Sequence, residues 1–285
     1  MKRILILGGN SRLGRSIARQ PDFNGTAIAR AGHDCIIVAD YTGITPSMLK
    51  DFDAVLNLTG VTSGSESELF AVNADLAGTL AAKAKQAGVR YFAQISSFSV
   101  FGDAVEIDAD TQVAPLSAYG RSRVAGEMAT AELADNSFSV GLARLPMLYG
   151  YGNSKLEKLV RFWLRIRQMP VPAYAIHRSM IHYDLAAQAL TAAINCGLDG
   201  PLAFADSEAF EYRRAAQALS QGSGKTIDIL RLPGLLSSFA NWIPSVQKSL
   251  YSDSLLVDDA NTVVRLKIQS RLYQDLTRMV AEAVT

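Results

Sequence analysis

Two residues four positions apart, Tyr119 and Arg123, have side chains suited to proton transfer. They fall in a segment that opens a predicted helix after a proline-containing loop, and positions with this spacing lie on one helical face. Because a nearby cation stabilises a phenolate, such a tyrosine can give and take a proton closer to neutral pH. Ser97, at the end of the preceding predicted strand, could hydrogen-bond the same reacting oxygen. The pair is common on its own and gains meaning from the elements around it.

A glycine-rich turn stands near the start of the chain. An apolar run over residues 4–7 is followed by Gly8-Gly9-Asn10-Ser11-Arg12-Leu13-Gly14 and then by a helical pattern. A dinucleotide site requires this order of strand, tight turn and helix, because backbone N–H groups must approach a pyrophosphate closely. We expect Gly8 to make the turn and Gly14 to allow close contact between helix and strand, while Ser11 replaces the middle glycine. A glycine turn that only joins a strand to a helix is the alternative. The predicted cofactor contacts are Gly8, Asn10, Ser11, Arg12, Leu13 and Gly14.

The end of the second predicted strand, residues 26–30, bears on the choice of cofactor. An acidic residue at this place would bind the adenosine ribose of NAD, whereas an arginine suits the 2′-phosphate of NADP. The chain has Arg30 here, with Arg12 in the preceding turn. NADP is therefore favoured over NAD, the alternative being that both arginines are solvated surface residues.

Further apolar runs predict strands over residues 35–39, 53–60 and 91–95, with an alanine-rich helix over residues 65–88. Strands that alternate with helices favour a right-handed parallel sheet, here an α/β doubly wound Rossmann fold. Such sheets bind ligands at the carboxyl ends of their strands. The residues expected at this edge are Asp40, Tyr41, Thr59, Gly60, Ser96 and Ser97.

The regular alternation ends near Gly150. A basic amphipathic helix is predicted over residues 154–168 and a proline-flanked loop over residues 169–173. The remaining predictions are a helix over 184–195 and a strand over 201–205 that return to the sheet, and a strand over 254–258 before a final helix. We therefore predict a dinucleotide-binding Rossmann domain of residues 1–148 plus 181–206, and a smaller C-terminal α/β substrate-binding cap of residues 149–180 plus 207–285.

The composition narrows the functional classes. The 285 residues carry a formal net charge of +1, which gives no support to nucleic-acid binding through a basic face. No apolar run approaches the roughly 20 residues that cross a bilayer, so no membrane partner is expected. Cys35 and Cys196 are too far apart in sequence for a disulfide framework, and the three histidines lack metal-ligand spacing. A chain that begins directly with a strand and has this cysteine content is expected in the cytoplasm.

Taken in order, the motifs resemble those of the extended short-chain dehydrogenase/reductases, specifically the NAD(P)-dependent epimerase/dehydratase family that acts on nucleotide sugars. The resemblance is specific because its segments run nearly end to end. They are residues 8–14, Asp40, residues 58–60, Asn73, residues 96–102, residues 119–123, residues 144–150 and residues 181–186.

This resemblance implies roles for individual residues. Tyr119 matches the catalytic tyrosine, Ser97 the family's active-site hydroxyl, Arg123 the catalytic lysine position and Asp40 an aspartate that meets the adenine. It also implies cofactor contacts at Tyr41, Leu58, Thr59, Gly60, Asn73, Ser96, Tyr119, Arg123, Pro146 and Leu148. The implied substrate contacts are Ser97, Phe98, Ser99, Met147 and Arg178, the last of these to a substrate phosphate.

The family motif is Y-x-x-x-K, and Arg123 departs from it. The lysine in the family holds the nicotinamide ribose, and arginine keeps the charge without the compact ammonium head. The resemblance implies 4-keto reduction or 4-epimerisation of a nucleotide-linked sugar by hydride transfer. An NADP-binding sensor or scaffold with weak or no turnover, or a reductase of another small carbonyl compound, are the alternatives.

The resemblance implies assembly as well. Family members commonly dimerise through two helices that correspond to residues 65–88 and 118–134, which here are rich in small side chains. A homodimer is therefore expected, unless these alanines pack only within their own chain.

Overall fold

A computed structural model describes residues 1–150, 154–172, 176–233, 255–256, 272–274 and 277. Strands occur throughout this part of the chain. They are β1 (Ile4–Leu7), β2 (Gly25–Ala29), β3 (Ile36–Ile37), β4 (Ala54–Asn57), β5 (Tyr91–Ser97), β6 (Glu106–Ile107), β7 (Ser139–Leu145), β8 (Met147–Tyr149), β9 (Gln168–Pro172), β10 (Met180–His182), β11 (Gly200–Ala203), β12 (Asp228–Leu232) and β13 (Leu255–Leu256).

The helices of the same part of the chain lie between these strands. They are α1 (Arg12–Ala18), α2 (Pro46–Leu49), α3 (Glu66–Phe70), α4 (Leu76–Gln86), α5 (Ala118–Ala131), α6 (Ser154–Ile166), α7 (Tyr183–Cys196) and α8 (Tyr212–Ser223).

Within the described residues, seven parallel strands form one sheet in the order β11-β7-β5-β4-β1-β2-β3. The chain leaves β1 in one direction to build β2 and β3, and in the other to build β4, β5, β7 and β11. The order therefore reverses beside β1, and this is the point where a doubly wound sheet opens a crevice at the carboxyl ends of its strands. The predicted Rossmann-like α/β fold is confirmed.

The central strand explains why the sheet is covered on both faces. Ile4 and Ile6 of β1 belong to the core under α1 and α7, whereas Leu5 and Leu7 belong to the core under α2 and α4. Successive side chains of a strand point to opposite faces, so an uninterrupted apolar run requires a layer on each side. All four side chains are fully buried.

The helix predicted over residues 65–88 is interrupted. Ser65 begins it with a capping box to Glu68, and a π-helical turn over Ala71–Asp75 separates α3 from α4. Next to this turn Gly126 of α5 packs so closely on the Asn73 carbonyl that a Cβ would lie 2.0 Å from the oxygen. A π-turn inserts one residue without ending the helix, and here it lies beside the loop that follows β4.

Two local predictions need correction. The loop predicted over residues 169–173 is wrong, because Gln168–Pro172 forms strand β9, which pairs in parallel with β12. Among the described residues these two strands form a two-stranded sheet, and such strands tolerate proline more readily than the central strand of a large sheet does. The strand predicted over residues 35–39 shortens to β3, whose two isoleucines lie exposed at the end of the main sheet.

A second hydrophobic cluster lies outside the main sheet. It joins Tyr149, Trp163 and Met169 to residues of α8 and to Leu272. The short sheets β8–β10 and β9–β12 belong to this part of the chain. The boundaries predicted for the two domains stay a prediction. Of the predicted strand over 254–258, β13 is described, and most of the predicted final helix lies outside the described residues.

Three further features of the described residues concern function. Every helix there is too short or too polar to span a bilayer. No group of three or more histidine, cysteine, aspartate and glutamate side chains could hold a metal ion. Cys35 and Cys196 are free thiols.

Candidate active site

The glycine turn lies directly after β1. Gly8 has a φ of +89°, a conformation that side chains other than glycine rarely adopt. A Cβ on Gly14 would lie 2.6 Å from the Gly9 carbonyl oxygen, so α1 packs against the turn with no space for a side chain. The backbone therefore passes the strand end with nothing projecting from these positions.

Ser11, which departs from the glycine fingerprint, has a structural role. It is the N-cap of α1, and its Oγ accepts a hydrogen bond from the Gly14 N–H at 3.0 Å. This satisfies the third N–H of the helix and leaves those of Arg12 and Leu13 without a partner inside the helix. The Ser11 hydroxyl only accepts in this bond, so its own proton remains available.

The two arginines considered for the cofactor phosphate, Arg12 and Arg30, face different neighbours. Arg12 lies near the hydroxyl of Tyr183, the first residue of α7. Burial raises the pKa of Tyr183, and the Arg12 cation opposes this increase. Arg30 lies over the ring of Tyr41, with its guanidinium carbon 6.0 Å from the ring centroid.

Asp40 and Tyr41 form the neighbouring corner of the site. The Thr42 N–H donates to Asp40 Oδ1 at 2.8 Å, and this bond, helped by the Arg30 charge, lowers the pKa of the Asp40 carboxyl. Burial raises the pKa of Tyr41, which Arg30 and a hydrogen bond to the Gly8 backbone oppose. The predicted adenine-side residues are thus joined by contacts around the end of β2.

Polar side chains buried at the end of β4 fix the next loop. Asn57 Nδ2 donates to Gln94 Oε1 at 2.8 Å on β5. Asn57 Oδ1 accepts from the Thr59 N–H at 3.1 Å and from the Thr59 hydroxyl at 2.7 Å. The Thr59 side chain is therefore bonded within the sheet. Of its neighbours in the loop, Leu58 packs against the core and Gly60 is exposed.

Tyr119 and Arg123 are brought together as predicted from their spacing. Arg123 Nε donates to the Tyr119 hydroxyl oxygen at 3.1 Å, and its Nη1 donates to the Ile95 carbonyl at 3.2 Å. Arg123 is 7% exposed, whereas Tyr119 is half-buried. The guanidinium also faces Gly60, where a Cβ would lie 2.5 Å from Nη2. A buried, fixed cation thus holds the phenol oxygen at the carboxyl edge of the sheet.

Ser97 ends β5 beside a second hydroxyl. Ser97 Oγ donates to Ser99 Oγ at 3.1 Å and accepts from the Ser99 N–H at 3.2 Å. The start of α5 is pressed onto the same turn, since a Cβ on Gly120 would lie 2.4 Å from the Ser99 carbonyl oxygen. The tight contact at Gly120, next to Tyr119 in sequence, holds the start of α5 against the turn that follows β5.

Ser96 points to the opposite face of β5. Its hydroxyl donates to Glu127 of α5. Glu127 also accepts from Arg144, from Nε to Oε1 at 3.0 Å and from Nη2 to Oε2 at 2.7 Å. This three-residue cluster ties α5 to β5 and β7. The Ser96 side chain thus serves the helix contact, and a cofactor contact through it stays a prediction.

Asn73 occupies the π-turn behind the site and is 1% exposed. Its amide donates to the Val61 carbonyl and accepts from the Val61 N–H, both at 2.9 Å, and donates to Ser122 Oγ at 3.0 Å. All of these bonds hold the loop after β4 against α5. Asn73 therefore positions the Gly60 loop, and its predicted direct contact with a cofactor is untested.

The predicted substrate residues lie on two elements. Phe98 is buried against Phe101, with ring centroids 5.8 Å apart, so its ring is part of a hydrophobic cluster. After buried Pro146, the half-buried Met147 and Leu148 lie on β8, paired with β10. Arg178 exchanges backbone hydrogen bonds with Phe210 just before β10. Contact of these residues with a substrate stays a prediction.

Several residues of the site escaped prediction from the sequence. Glu127 and Arg144 are separated by 17 positions and Asn57 and Gln94 by 37, so no local spacing relates them. Tyr183 lies in the motif of residues 181–186, but the sequence alone assigns it no role. A polar residue at the end of an otherwise apolar strand, as in Asn57, is the one signal that could have pointed to this network.

Comparison with known protein families gives a match over most of the chain. The family described as the RmlD substrate binding domain matches residues 1–193. A search of curated protein sequences finds no matching relative.

Solved structures give full-length matches at low identity. One is a putative epimerase from Burkholderia cenocepacia, 18% identical, with a TM-score of 0.76 and coverage of 99% of this chain and 98% of that one. Another is UDP-glucuronic acid 4-epimerase from Bacillus cereus in complex with NAD, 17% identical, with a TM-score of 0.69 and coverage of 98% and 99%. A third is dTDP-4-dehydrorhamnose reductase from Bacillus anthracis in complex with NADP, 18% identical, with a TM-score of 0.70 and coverage of 99% of both chains. At this identity the likeness establishes the fold.

Proposed function

The chain belongs to the RmlD substrate binding domain family, and we propose that it is an NAD(P)-dependent oxidoreductase or epimerase of a nucleotide-linked sugar. The observation that carries the proposal is the bond between Arg123 Nε and the Tyr119 hydroxyl oxygen at the carboxyl edge of the sheet. A phenol held by a buried cation at the ligand-binding edge is suited to exchange a proton with a sugar oxygen. The structural neighbours that act on UDP- and dTDP-sugars support this substrate class.

The residues at the turn fit a dinucleotide. Gly8 and Gly14 leave no side chain over the end of β1, and the N–H groups of Arg12 and Leu13 have no partner within α1. Arg12, Leu13 and the Ser11 hydroxyl would hold the pyrophosphate, and Asp40 and Tyr41 the adenine side. When bound, the nicotinamide would accept or donate a hydride at the sugar carbon.

The chain's own residues would handle the proton. Tyr119 would protonate the oxygen of a sugar carbonyl as it is reduced, or take the proton from a hydroxyl as it is oxidised. Arg123 would stabilise the phenolate that forms and keep the oxygen in place. Ser97 and Ser99 would donate hydrogen bonds to the same sugar oxygen while negative charge develops on it.

Reduction of a 4-keto sugar is the preferred reaction, because Arg30 favours NADP. Arg30 lies above Tyr41 and beside Asp40, and a guanidinium there can pair with a 2′-phosphate. Epimerisation at C4 would use the same residues with a retained cofactor. If Arg123 cannot replace lysine in catalysis, the protein is an NADP-binding sensor or scaffold without turnover. If nucleotide sugars fail to react, the substrate is another small carbonyl compound.

A homodimer is also proposed. Four alanines of the predicted interface are buried within the chain, as expected if they pack only within one chain. They are Ala74, Ala77, Ala81 and Ala84. An exposed apolar side chain remains on α5, where Met128 is 58% exposed. Sedimentation at micromolar concentration tests this proposal, and a monomer would contradict it. A cytoplasmic location stays a prediction.

The experiment that tests the function offers the protein both reactions. NADPH oxidation is followed with a dTDP-linked 4-keto sugar, and epimer formation is followed by chromatography with UDP-glucose and UDP-glucuronic acid. We expect turnover in the first assay. Tight dinucleotide binding without turnover of any sugar would favour the sensor.

A further inference from the structure

We infer that Gly60 is a positioning residue that adapts this active site to arginine, so that Gly60 and Arg123 act as a matched pair. The inference deepens the proposed function and rests on it for its catalytic consequence. Its structural part, the fit of a guanidinium against a backbone without a side chain, can be tested separately.

The guanidinium of Arg123 is fixed on three sides. Nε bonds the Tyr119 oxygen, Nη1 bonds the Ile95 carbonyl, and Nη2 lies against Gly60. A Cβ on Gly60 would lie 2.5 Å from Nη2, 3.0 Å from Nη1 and 3.1 Å from Cζ. All three of these nearest atoms belong to Arg123, so the guanidinium is the group closest to the space that glycine leaves.

The backbone itself does not require glycine at this position. Gly60 is not among the glycines with positive φ, and it is exposed. An alanine could therefore be accommodated by moving the far end of the Arg123 side chain. Such a move would separate Nε from the Tyr119 oxygen while leaving the sheet unchanged.

Lysine would not reproduce this arrangement. Its ammonium is a single point with rotatable donors, whereas the planar fork of arginine bonds Tyr119 and Ile95 at the same time. Within the described residues Nη2 has no hydrogen-bond partner, which leaves it free to bind a cofactor ribose. Lysine would also leave the space at Gly60 unfilled, so the methyl group of an alanine at position 60 would not clash with it.

The test combines Gly60→Ala with Arg123→Lys in a double-mutant cycle. NADPH affinity by fluorescence titration and turnover with the best sugar are measured for wild type, both single variants and the double variant. We expect Gly60→Ala to weaken both quantities about tenfold or more in the arginine protein, as the loss of a charged hydrogen bond would. In the Arg123→Lys background the same change should have an effect of about twofold or less. Equal effects in both backgrounds would overturn the inference.

A control and a second readout make the result independent of turnover. Gly43→Ala adds the same methyl group where no atom lies within 4 Å and should change nothing. The NMR signal of the Arg123 Nε–H, assigned by its loss in Arg123→Lys, reports the bond to Tyr119 without cofactor or substrate. We expect slow solvent exchange of this proton in wild type and Gly43→Ala and fast exchange in Gly60→Ala. Slow exchange in Gly60→Ala would contradict the inference, even if no sugar is ever turned over.

Discussion

Arg144 and Glu127 form a two-point ion pair inside the protein, with Nε to Oε1 at 3.0 Å and Nη2 to Oε2 at 2.7 Å. The side chains are 11% and 6% exposed. The pair connects β7 to the helix that carries Tyr119 and Arg123. Arg144 also lies over the ring of Phe101, at 5.1 Å from the centroid. The orientation of α5 thus depends on an ion pair with β7.

Glu127→Ala leaves Arg144 buried without its partner, and breaking such a pair costs about 3–5 kcal/mol. We expect a loss of this size in the free energy of unfolding measured by urea denaturation. Glu66→Ala is the control, because its pair with Arg121 is exposed and should contribute less than about 1 kcal/mol. Equal losses in the two variants would contradict the assignment.

Ser11→Ala removes the N-cap of α1. Loss of such a cap costs about 1 kcal/mol, whereas Ser11→Gly, which restores the glycine fingerprint, should cost only a few tenths of that. Thermal unfolding of both variants measures the difference. NADPH titration should show weaker binding by both variants, because each lacks the hydroxyl proposed to hold the pyrophosphate. Wild-type affinity in Ser11→Gly would mean that the serine acts only as the helix cap.

Arg30→Ala tests the cofactor preference. A guanidinium paired with a phosphate contributes about 1.5–3 kcal/mol, so the variant should lose more than tenfold in NADPH affinity and little in NADH affinity. Titration of wild type and variant with both dinucleotides gives the comparison. Arg19→Ala, at the exposed C-cap of α1, is the charge-matched control. Tighter binding of NADH by the wild type would contradict the NADP preference.

The fold was predictable because its signals are local. The apolar run of β1, the glycine turn and the helical spacing of Tyr119 and Arg123 each involve neighbouring residues. The contacts that shape the site are not local. Arg12 of α1 lies near Tyr183 of α7, and the contact between Gly60 and Arg123 joins residues 63 positions apart. Only the folded chain shows that Arg12 and Arg30 face different neighbours.

Tyr119 is proposed as the acid/base of a reaction on a nucleotide-linked sugar. The most direct measurement compares NADPH oxidation with a dTDP-linked 4-keto sugar by wild type and Tyr119→Phe, together with their NADPH affinities. Tyr91→Phe is the control, because its hydroxyl bonds the Leu198 carbonyl at the opposite end of β5. We predict that Tyr119→Phe loses at least about 100-fold in rate, the usual contribution of general acid–base catalysis, and binds NADPH within a few-fold of wild type. A Tyr119→Phe variant that keeps the wild-type rate would contradict the account.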